Sequence, residues 1–296
     1  MKTDRKIYAL GFFDGVHLGH QVLLAECRQM ARELGCKSAA ITFDCHPKSL
    51  FMDPAPMLIS TAAERRRLLT ALGIEHIREY PVSKAIMSTP WKAVLEDLVR
   101  DGAVGFVCGS DFRFGKSGEG NAELLKAECD ARGIPCVIVP EQRMEGIRIS
   151  SSHIRAMIEE GLMESAVKFL GHPYVLTGVV CHGIQLGRKL GMPTANLELP
   201  RGLAVPKFGV YACVAVVDGV RHAAVTNIGI RPTVNGRGLT VEAWILDFKG
   251  DLYDRELTLE FYRFLRPERR FPHVVALRRQ IETDAAETRL YLEEHV

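Results

Sequence analysis

The stretch IYALGFFDGVHLGH, residues 7–20, decides the fold of the first half of the chain. A short apolar run at 7–10 predicts a buried strand, two glycines bracket a turn, and a helix-forming run follows at 21–34. A strand, a glycine turn and a helix N-terminus bring backbone N–H groups and the positive end of the helix dipole to one point. The stretch therefore predicts an anion site at the carboxyl end of the first strand.

Two histidines, His17 and His20, lie three positions apart where the predicted helix begins. Both imidazoles can reach one point from the same side of a helical turn, and an imidazole can donate an N–H to a phosphate oxygen. Gly15 and Gly19 lack the side chains that would keep a phosphate away from the backbone. The alternative is an ordinary strand–helix turn whose histidines are solvated or cap the helix.

Length, charge and cysteine usage narrow the class of protein. A chain of 296 residues is long enough for two domains, and its net charge of +2 argues against a dedicated nucleic-acid binder. We expect no signal peptide and no membrane span, because the apolar runs are short. Eight scattered cysteines without a C-x-x-C pair predict reduced thiols and a cytoplasmic protein. A metal site is an alternative, and its candidate ligands are His17, His20, Cys45 and His46. No recognised zinc spacing supports it.

Up to about residue 140, short strand-like runs alternate with amphipathic helical runs. Strands are predicted at 7–10, 37–43, 75–80, 105–108 and 135–139, and helices at 21–34, 61–72, 89–100 and 122–132. The arginines at 65–67 are predicted to lie on a solvated helix face. The alternation predicts a parallel sheet covered on both faces, with ligands at the carboxyl ends of its strands.

Polar motifs follow these strands where such ligands would bind. The motif TFDCHP (42–47) ends the second strand, and GSDFRFG (109–115) follows a later one. The later loop can stack on a flat ring and hydrogen-bond its edge, or it can be a long surface loop. In ISSSHIR (149–155), the serines can cap a helix or bind an anion, and Arg155 can clamp a phosphate.

The second half of the chain changes character near residue 172, where a Gly-His-Pro sequence ends the helical pattern. Runs at 210–217 and 220–228 are joined by Asp218-Gly219, a strong hairpin signal. Runs at 239–246 and 256–264 are predicted to form a second pair, and a helix is predicted at 274–294. Short, closely spaced strands indicate a small closed barrel.

One further motif, GRKLGMPTANL (187–197), combines backbone freedom with cations, a hydroxyl and an amide suited to nucleotide phosphates and Mg²⁺. Thr194 and Asn196 share a face of an extended strand because they lie two positions apart. By the same rule Glu242 shares a face with Thr240 and Trp244. A glutamate there is by default the solvent side of a half-buried strand.

The motifs together resemble a known family. GFFDGVHLGH, TFDCHP, GSDFRFG and ISSSHIR, in this order, resemble the adenylyltransferase module of the bacterial bifunctional riboflavin kinases/FAD synthetases. GVVCHGIQLGRKLGMPTANL, FGVYA, NIGIRPTV, VEAWILDFKGDLYD and FLRPERRF resemble the riboflavin kinase module. The resemblance covers almost the whole chain, with small departures at Cys45, Met192 and Asp254.

The resemblance implies an α/β plus all-β protein. Residues 1–172 are expected to form a Rossmann-like nucleotidyltransferase domain, and residues 173–296 a riboflavin kinase barrel with a terminal helix. The implied reactions are ATP-dependent phosphorylation of riboflavin to FMN, and transfer of AMP from ATP to FMN to give FAD and pyrophosphate. The implied partners are these small molecules and Mg²⁺, without nucleic acid or membrane, in a monomer or weak homo-oligomer. A nucleotidyltransferase for another phosphate ester and a flavin-binding sensor are the competing interpretations.

The resemblance also implies roles for individual residues. Glu242 is the expected base of the kinase step, and the expected donors of the adenylyl step are His17, His20 and Arg155. The expected ATP contacts are Gly11, Phe12, Phe13, Gly15, Gly19, Asp111, Ser151, Ser152, Gly187, Lys189, Pro193, Thr194 and Asn196. The expected flavin contacts are Phe43, His46, Pro47, Phe112, Phe114, Arg266 and Glu268. The expected metal ligands are Thr194 and Asn196.

Overall fold

The computed structural model describes residues 4–182, 191–233 and 236–296. It divides into two compact units, Met1–His153 and Ile154–Val296. All eight cysteines are free. Among the described residues, no helix has the length and apolar character needed to cross a membrane.

The first unit is built on a parallel sheet. Its strands are β1 Lys6–Leu10, β2 Lys37–Phe43, β3 His76–Tyr80, β4 Ala103–Gly109 and β7 Cys136–Val139, in the spatial order β3-β2-β1-β4-β7. Its helices are α1 Leu18–Glu33, α2 Ala62–Ala71, α3 Lys84–Met87, α4 Trp91–Arg100 and α5 Ala122–Ala131. Two short hairpins, β5 Arg113–Phe114 with β6 Gly120–Asn121 and β8 Arg143–Met144 with β9 Ile147–Arg148, complete it. Strand order reverses at β1, which makes the carboxyl edge beside β1 and β4 the place where such sheets bind ligands.

Local sequence accounts for these elements. The strand at the centre, β1, is buried along its whole length, as its apolar run predicts. Thr61 caps α2 by accepting the N–H of Glu64 at 3.1 Å. Glycines just past the helices, Gly35, Gly73 and Gly133, have positive φ angles, so they form the left-handed ends that the sequence predicts.

The second unit is a closed antiparallel barrel with helices. Its strands are β10 Tyr174–Cys181, β11 Thr194–Glu198, β12 Gly209–Val217, β13 Val220–Thr233, β14 Gly236–Ile245 and β15 Glu256–Arg266. They close in the order β10-β11-β14-β13-β12-β15. The chain passes into this unit along α6 Ser151–Glu160, and α7 Met163–Leu170 and α8 Val274–His295 belong to it. The predicted class, a Rossmann-like parallel sheet followed by a small antiparallel barrel with a terminal helix, is confirmed.

One predicted strand pair is wrong. The runs 239–246 and 256–264 do not pair, because β14 lies between β11 and β13 while β15 lies between β10 and β12. The sequence prediction lacked β10, and only this strand offers β15 the second neighbour that closes the barrel. The other predicted pair is confirmed, since Val217 and Val220 are opposite each other and Asp218 and Gly219 both have positive φ.

A buried ion pair fastens α8 to the end of β15. Arg266 donates from Nε to Asp284 Oδ1 at 3.0 Å and from Nη2 to Asp284 Oδ2 at 2.7 Å. Gln280 on the same helix donates to Asp284 Oδ1 at 2.7 Å. Asp284 is 2 % exposed, so its charge is compensated almost entirely by these partners.

Replacing this carboxylate should therefore destabilise the second unit strongly. We expect Asp284→Ala to lower its free energy of unfolding by about 3–5 kcal/mol, because the arginine is left without its buried partner. Urea unfolding followed by Trp244 fluorescence, in a Trp91→Phe background, measures this change. The matched control is Glu282→Ala, which removes an exposed pair with Arg278 on the same helix and should cost below about 1 kcal/mol. Equal effects of the two variants would contradict the prediction.

Candidate active sites

A cavity of about 580 Å³, the phosphate cavity, opens at the carboxyl edge of the sheet in the first unit. It brings together residues from all four motifs of the first half of the chain. The predicted site residues that line it are Gly11, Phe12, Phe13, His17, Gly19, His20, Phe43, Pro47, Asp111, Phe112, Ser151 and Ser152. The sheet thus gathers, at its switch point, side chains that lie more than a hundred positions apart in the sequence.

The turn after β1 is held in a strained conformation. Gly15 and Val16 have φ angles of +72° and +40°, and a β-branched residue rarely adopts the latter. The buried carboxylate of Asp14 accepts the N–H groups of Ile59 and Ser60 at 2.9 and 3.1 Å. The hydroxyl of Ser60 in turn accepts the N–H of Gly15 at 3.0 Å. These bonds fix the turn before any ligand arrives.

The two histidines stack on each other at the start of α1. His17 caps the helix, since its Nδ1 accepts the N–H of His20 at 3.2 Å, and the ring centroids are 3.6 Å apart. The capping interpretation is therefore confirmed for His17, and both rings also line the phosphate cavity. The Nδ1 of His20 is buried and has no hydrogen-bond partner among the described residues. Burial, and then the neighbouring His17, lower the pKa of His20 well below its usual value.

Serines at the start of α6 form another wall of the phosphate cavity. Ser150 accepts the N–H of His153 at 3.3 Å, so it caps the helix as one of the two interpretations predicted. Ser151 donates to the carbonyl of Asp14 at 2.9 Å, which ties the helix start to the strained turn. Arg155 follows one turn later on α6.

The lining of the phosphate cavity also contains an ion pair. Asp111, a predicted ATP contact, accepts a hydrogen bond from Arg148, and both side chains line the phosphate cavity. Arg148 lines the cavity although the sequence did not single it out. Its signal was its position, since it is the cation directly before the motif ISSSHIR.

A second cavity of about 570 Å³, the ring cavity, adjoins the first and shares Gly11, Phe43, Pro47 and Phe112 with it. Its walls are mainly apolar and aromatic. The Phe112 and Phe114 rings stack at 5.3 Å, and the Phe43 and Tyr80 centroids are 6.2 Å apart. Four of the predicted flavin contacts, Phe43, Pro47, Phe112 and Phe114, therefore line one cavity. An aromatic slot next to an anion site suits a flat ring that carries a phosphate.

His46 and Cys45, from the same motif, have local partners. His46 accepts the N–H of Lys48 at 3.0 Å and lies 5.3 Å from the Phe12 ring. Cys45 Sγ lies 3.6 Å from the hydroxyl of Ser49. Within the described ranges, no group of three or more His, Cys, Asp or Glu side chains is arranged to hold a metal ion.

Arg65 corrects the sequence prediction of a solvated face. Its side chain is completely buried, and its Nε donates to Thr42 Oγ1 at 2.8 Å. Thr42 Oγ1 in turn donates to the carbonyl of Phe12 at 2.9 Å, and the guanidinium lies 4.6 Å from the Phe12 ring centroid. A further N–H of Arg65 donates to the carbonyl of Phe43. The arginine thus fixes the carboxyl ends of β1 and β2, where the two cavities meet.

In the second unit, the barrel brings Asn196 directly opposite Glu242, on β11 and β14. Asn227 on β13 lies opposite Glu242 from the other side, so the three side chains share one face of the barrel. Asn227 donates to Glu268 Oε1 at 3.1 Å, so a predicted flavin contact binds the residue opposite the predicted base. Asn227 was missed, although it begins the motif NIGIRPTV that the sequence analysis singled out.

Pro193 and Thr194 line a further cavity of about 360 Å³ at one end of the barrel. Residues 248 and 250–253 close its other side. The predicted contacts Gly187 and Lys189 lie outside the described residues. Arg266, a predicted flavin contact, is held by Asp284 as described above.

Comparison with known proteins matches a separate family to each half of the chain. A family model for FAD synthetase matches residues 1–153, and one for riboflavin kinase matches residues 170–292. The chain is 35% identical over 98% of its length to a bifunctional riboflavin kinase/FMN adenylyltransferase of Listeria monocytogenes, covering 93% of that protein. This chain belongs to that bifunctional family. The predicted family resemblance is therefore confirmed.

Further relatives extend the likeness. A bifunctional riboflavin kinase/FMN adenylyltransferase of Pseudomonas fluorescens is 35% identical over 96% of this chain and 92% of its own. A crystal structure of a Streptococcus pneumoniae protein, described as a macrolide-efflux protein, superposes with a TM-score of 0.89 at 30% identity. It covers 98% of this chain and 95% of that protein, so the two chains share one architecture over nearly their full lengths.

Loss of the buried arginine should destabilise the first unit. Arg65→Met leaves the Thr42 hydroxyl and the Phe43 carbonyl without their buried donor, and each such group costs about 1–3 kcal/mol. We expect a loss of about 3 kcal/mol in the free energy of unfolding, measured by urea unfolding with Trp91 fluorescence in a Trp244→Phe background. Arg67→Met, which changes an arginine with a 57% exposed side chain on the same helix, is the control and should cost below about 0.5 kcal/mol. A stable Arg65→Met protein would contradict the assigned role.

The low pKa of His20 has a consequence for stability. The unfolded chain takes up a proton on this imidazole near the ordinary pKa of 6.5, whereas the folded protein does so only at lower pH. Stability is therefore independent of this group above about pH 6.5 and falls as the pH drops below it, by up to about 1.4 kcal/mol per pH unit. Unfolding of wild type and His20→Asn between pH 7.5 and 5.5 measures the difference in slope. Parallel slopes would show that His20 titrates normally.

Proposed function

We propose that this protein phosphorylates riboflavin to FMN with ATP and then transfers AMP from ATP to FMN, releasing pyrophosphate. Residues 1–172 would carry the adenylyl transfer and residues 173–296 the kinase reaction. The observation that carries the proposal is the pairing of an anion-binding cavity with an aromatic one in the first unit. An independent carboxylate–amide cluster on the barrel supports the second activity.

The adenylyl transfer needs donors and no base. The nucleophile is the FMN phosphate, whose second pKa of about 6 leaves it mostly dianionic at neutral pH. Negative charge accumulates around the α-phosphorus and the leaving pyrophosphate, and preorganised N–H donors stabilise it. His17, His20 and Arg155 are the proposed donors. Both imidazole rings line the phosphate cavity, which supports this role for the two histidines.

The ATP and the flavin would divide the two cavities between them. The N-terminus of α1 and the serines at the start of α6 line the phosphate cavity and would offer backbone N–H groups and hydroxyls to the nucleotide phosphates. The isoalloxazine would enter the ring cavity between the aromatic side chains of the second and later motifs. The two cavities adjoin, so the FMN phosphate can reach the phosphate cavity while the ring stays between the aromatic walls.

The kinase step has the opposite requirement. The 5′-hydroxyl of riboflavin is a weak acid, so a carboxylate within hydrogen-bond reach assists its attack. Glu242 is the proposed base, and its cross-strand neighbours Asn196 and Asn227 supply amides that can orient it and the substrate. Thr194 and Asn196 present the hard oxygen donors that suit Mg²⁺, and a magnesium ion held there would neutralise charge on the ATP phosphates.

The proposal also covers the cellular compartment, the type of partner and the oligomeric state. Eight free thiols support a reducing compartment, so we place the protein in the cytoplasm. The nearly balanced charge supports small-molecule substrates without nucleic acid, in a monomer or weak homo-oligomer.

Two substitutions should separate the activities. Glu242→Gln should slow FMN formation from riboflavin by about 100-fold or more, since a general base contributes roughly 10²–10⁴. His20→Asn should slow FAD formation from FMN by about 10- to 100-fold, the loss of one charge-assisted hydrogen bond. Chromatography of flavins after incubation with magnesium and ATP measures both rates.

Each variant is the control for the other. Glu242→Gln should convert supplied FMN to FAD at the wild-type rate, and His20→Asn should phosphorylate riboflavin at the wild-type rate. A folded variant that loses both activities would contradict two independent sites. A wild-type protein that binds flavin but converts neither substrate would favour the sensor interpretation.

A further inference from the structure

The ring cavity contains a pair of charges that the proposed function does not use. Arg78 on β3 and Asp97 on α4 both line the cavity, whose other walls are mainly apolar. Their side chains are partly buried, at 26% and 43% exposure. A charged pair in such a place is costly to desolvate unless the ligand that covers it offers matching polar groups.

The pair has a fixed geometry. Arg78 Nη2 donates to Asp97 Oδ2 at 2.5 Å, and the hydroxyl of Tyr80 donates to the same oxygen at 2.9 Å. The Arg78 guanidinium also lies 4.8 Å from the Tyr80 ring centroid, which restricts its rotation. Both hydrogen bonds that the described residues donate to Asp97 end on Oδ2, so Oδ1 is left to accept from a ligand.

Strand register places the pair away from the carboxyl edge of the sheet. Tyr80 lies opposite Phe43 at the carboxyl edge, and Arg78 lies opposite Ile41, about 7 Å further from that edge. The helix α4 leads from the carboxyl edge back to the start of β4, so Asp97 in its second half also lies away from that edge. A flat ring that enters from the phosphate cavity therefore meets aromatic side chains first and this pair afterwards.

The two ends of an isoalloxazine differ in polarity, and a charged pair can distinguish them. One end is an apolar dimethylbenzene, and the other is a pyrimidine edge that presents a carbonyl, the N3–H and a second carbonyl. A carboxylate can accept the N3–H while a guanidinium donates to a neighbouring carbonyl. The dimethylbenzene end would cover both charges without offering either a partner.

We propose that the Arg78–Asp97 pair recognises the pyrimidine edge of the flavin and thereby determines ring specificity and orientation in the adenylyl step. The inference rests on the proposed function and adds a specificity determinant to it. The alternative is that the pair only ties β3 to α4. The two differ in one respect, since a purely structural pair is indifferent to the chemistry of the ring edge.

N3-methyl-FMN is the probe that separates them. Methylation removes the N3–H and places a methyl group against the carboxylate. We expect wild-type kcat/KM for adenylyl transfer to N3-methyl-FMN to be about 10- to 100-fold below that for FMN, as for loss of a hydrogen bond to a charged group. Asp97→Ala should lower kcat/KM for FMN, and this variant should use FMN and N3-methyl-FMN almost equally well. Because this ratio compares two acceptors with one enzyme, a loss of folded protein cancels from it.

The neighbouring glutamate provides the matched control. Glu96 on the same helix pairs with Arg132 at the surface, at 47% and 29% exposure, and does not line the ring cavity. Glu96→Ala should keep the wild-type ratio, and riboflavin phosphorylation should be unchanged in both variants.

The outcomes distinguish the inference from the function on which it rests. If the wild type forms FAD from FMN and uses N3-methyl-FMN equally well, the inference is overturned and the proposed function stands. Undiminished discrimination in Asp97→Ala also overturns it, because another part of the wall would then exclude the methyl group. If the wild type forms no FAD from FMN, both are overturned.

Discussion

The buried carboxylate of Asp14 is the group on which the architecture of the first unit depends. The turn after β1 leads into α1 with Gly15 and Val16 in the left-handed region, and this conformation is unfavourable for Val16. Hydrogen bonds from residues 59 and 60 to Asp14 hold that conformation. The segment before α2 must therefore return to the first strand, and this return positions α2 and its buried arginine beneath both cavities.

The two proposed reactions need different chemical groups, and the two units provide these groups from different types of structure. An acceptor that is already anionic needs backbone and imidazole N–H groups fixed in advance, and a strand–turn–helix junction supplies them. A neutral alcohol needs a carboxylate whose orientation is controlled, and neighbouring strands of a barrel supply it through cross-strand register. Glu242 stands between two asparagines because three adjacent strands are aligned there.

The sequence predicts what depends on local pattern. The run at 7–20 was sufficient for β1, its turn and α1, and the dipeptide Asp218-Gly219 was sufficient for one hairpin. The partner of β15 depends on barrel closure, which no local pattern contains. The burial of Arg65 was missed because composition marks a run of arginines as solvated. Spacing carried the missing signal, since Arg65 lies four positions before the buried Leu69 on one face of α2.

Buried or half-buried arginines recur in this protein, and their partners show what each one does. Arg65 donates mainly to uncharged oxygens of two strand ends, so its contribution is to hold those ends in place. Arg266 binds Asp284 through the Nε and Nη2 edge of its guanidinium and therefore fastens a helix. Arg78 differs from both, because its carboxylate partner keeps one oxygen available and the pair faces a cavity large enough for a ring. Selective binding of a polar ring edge requires such a pair, in which one carboxylate oxygen is held by the protein and the other can accept a hydrogen bond from the ligand.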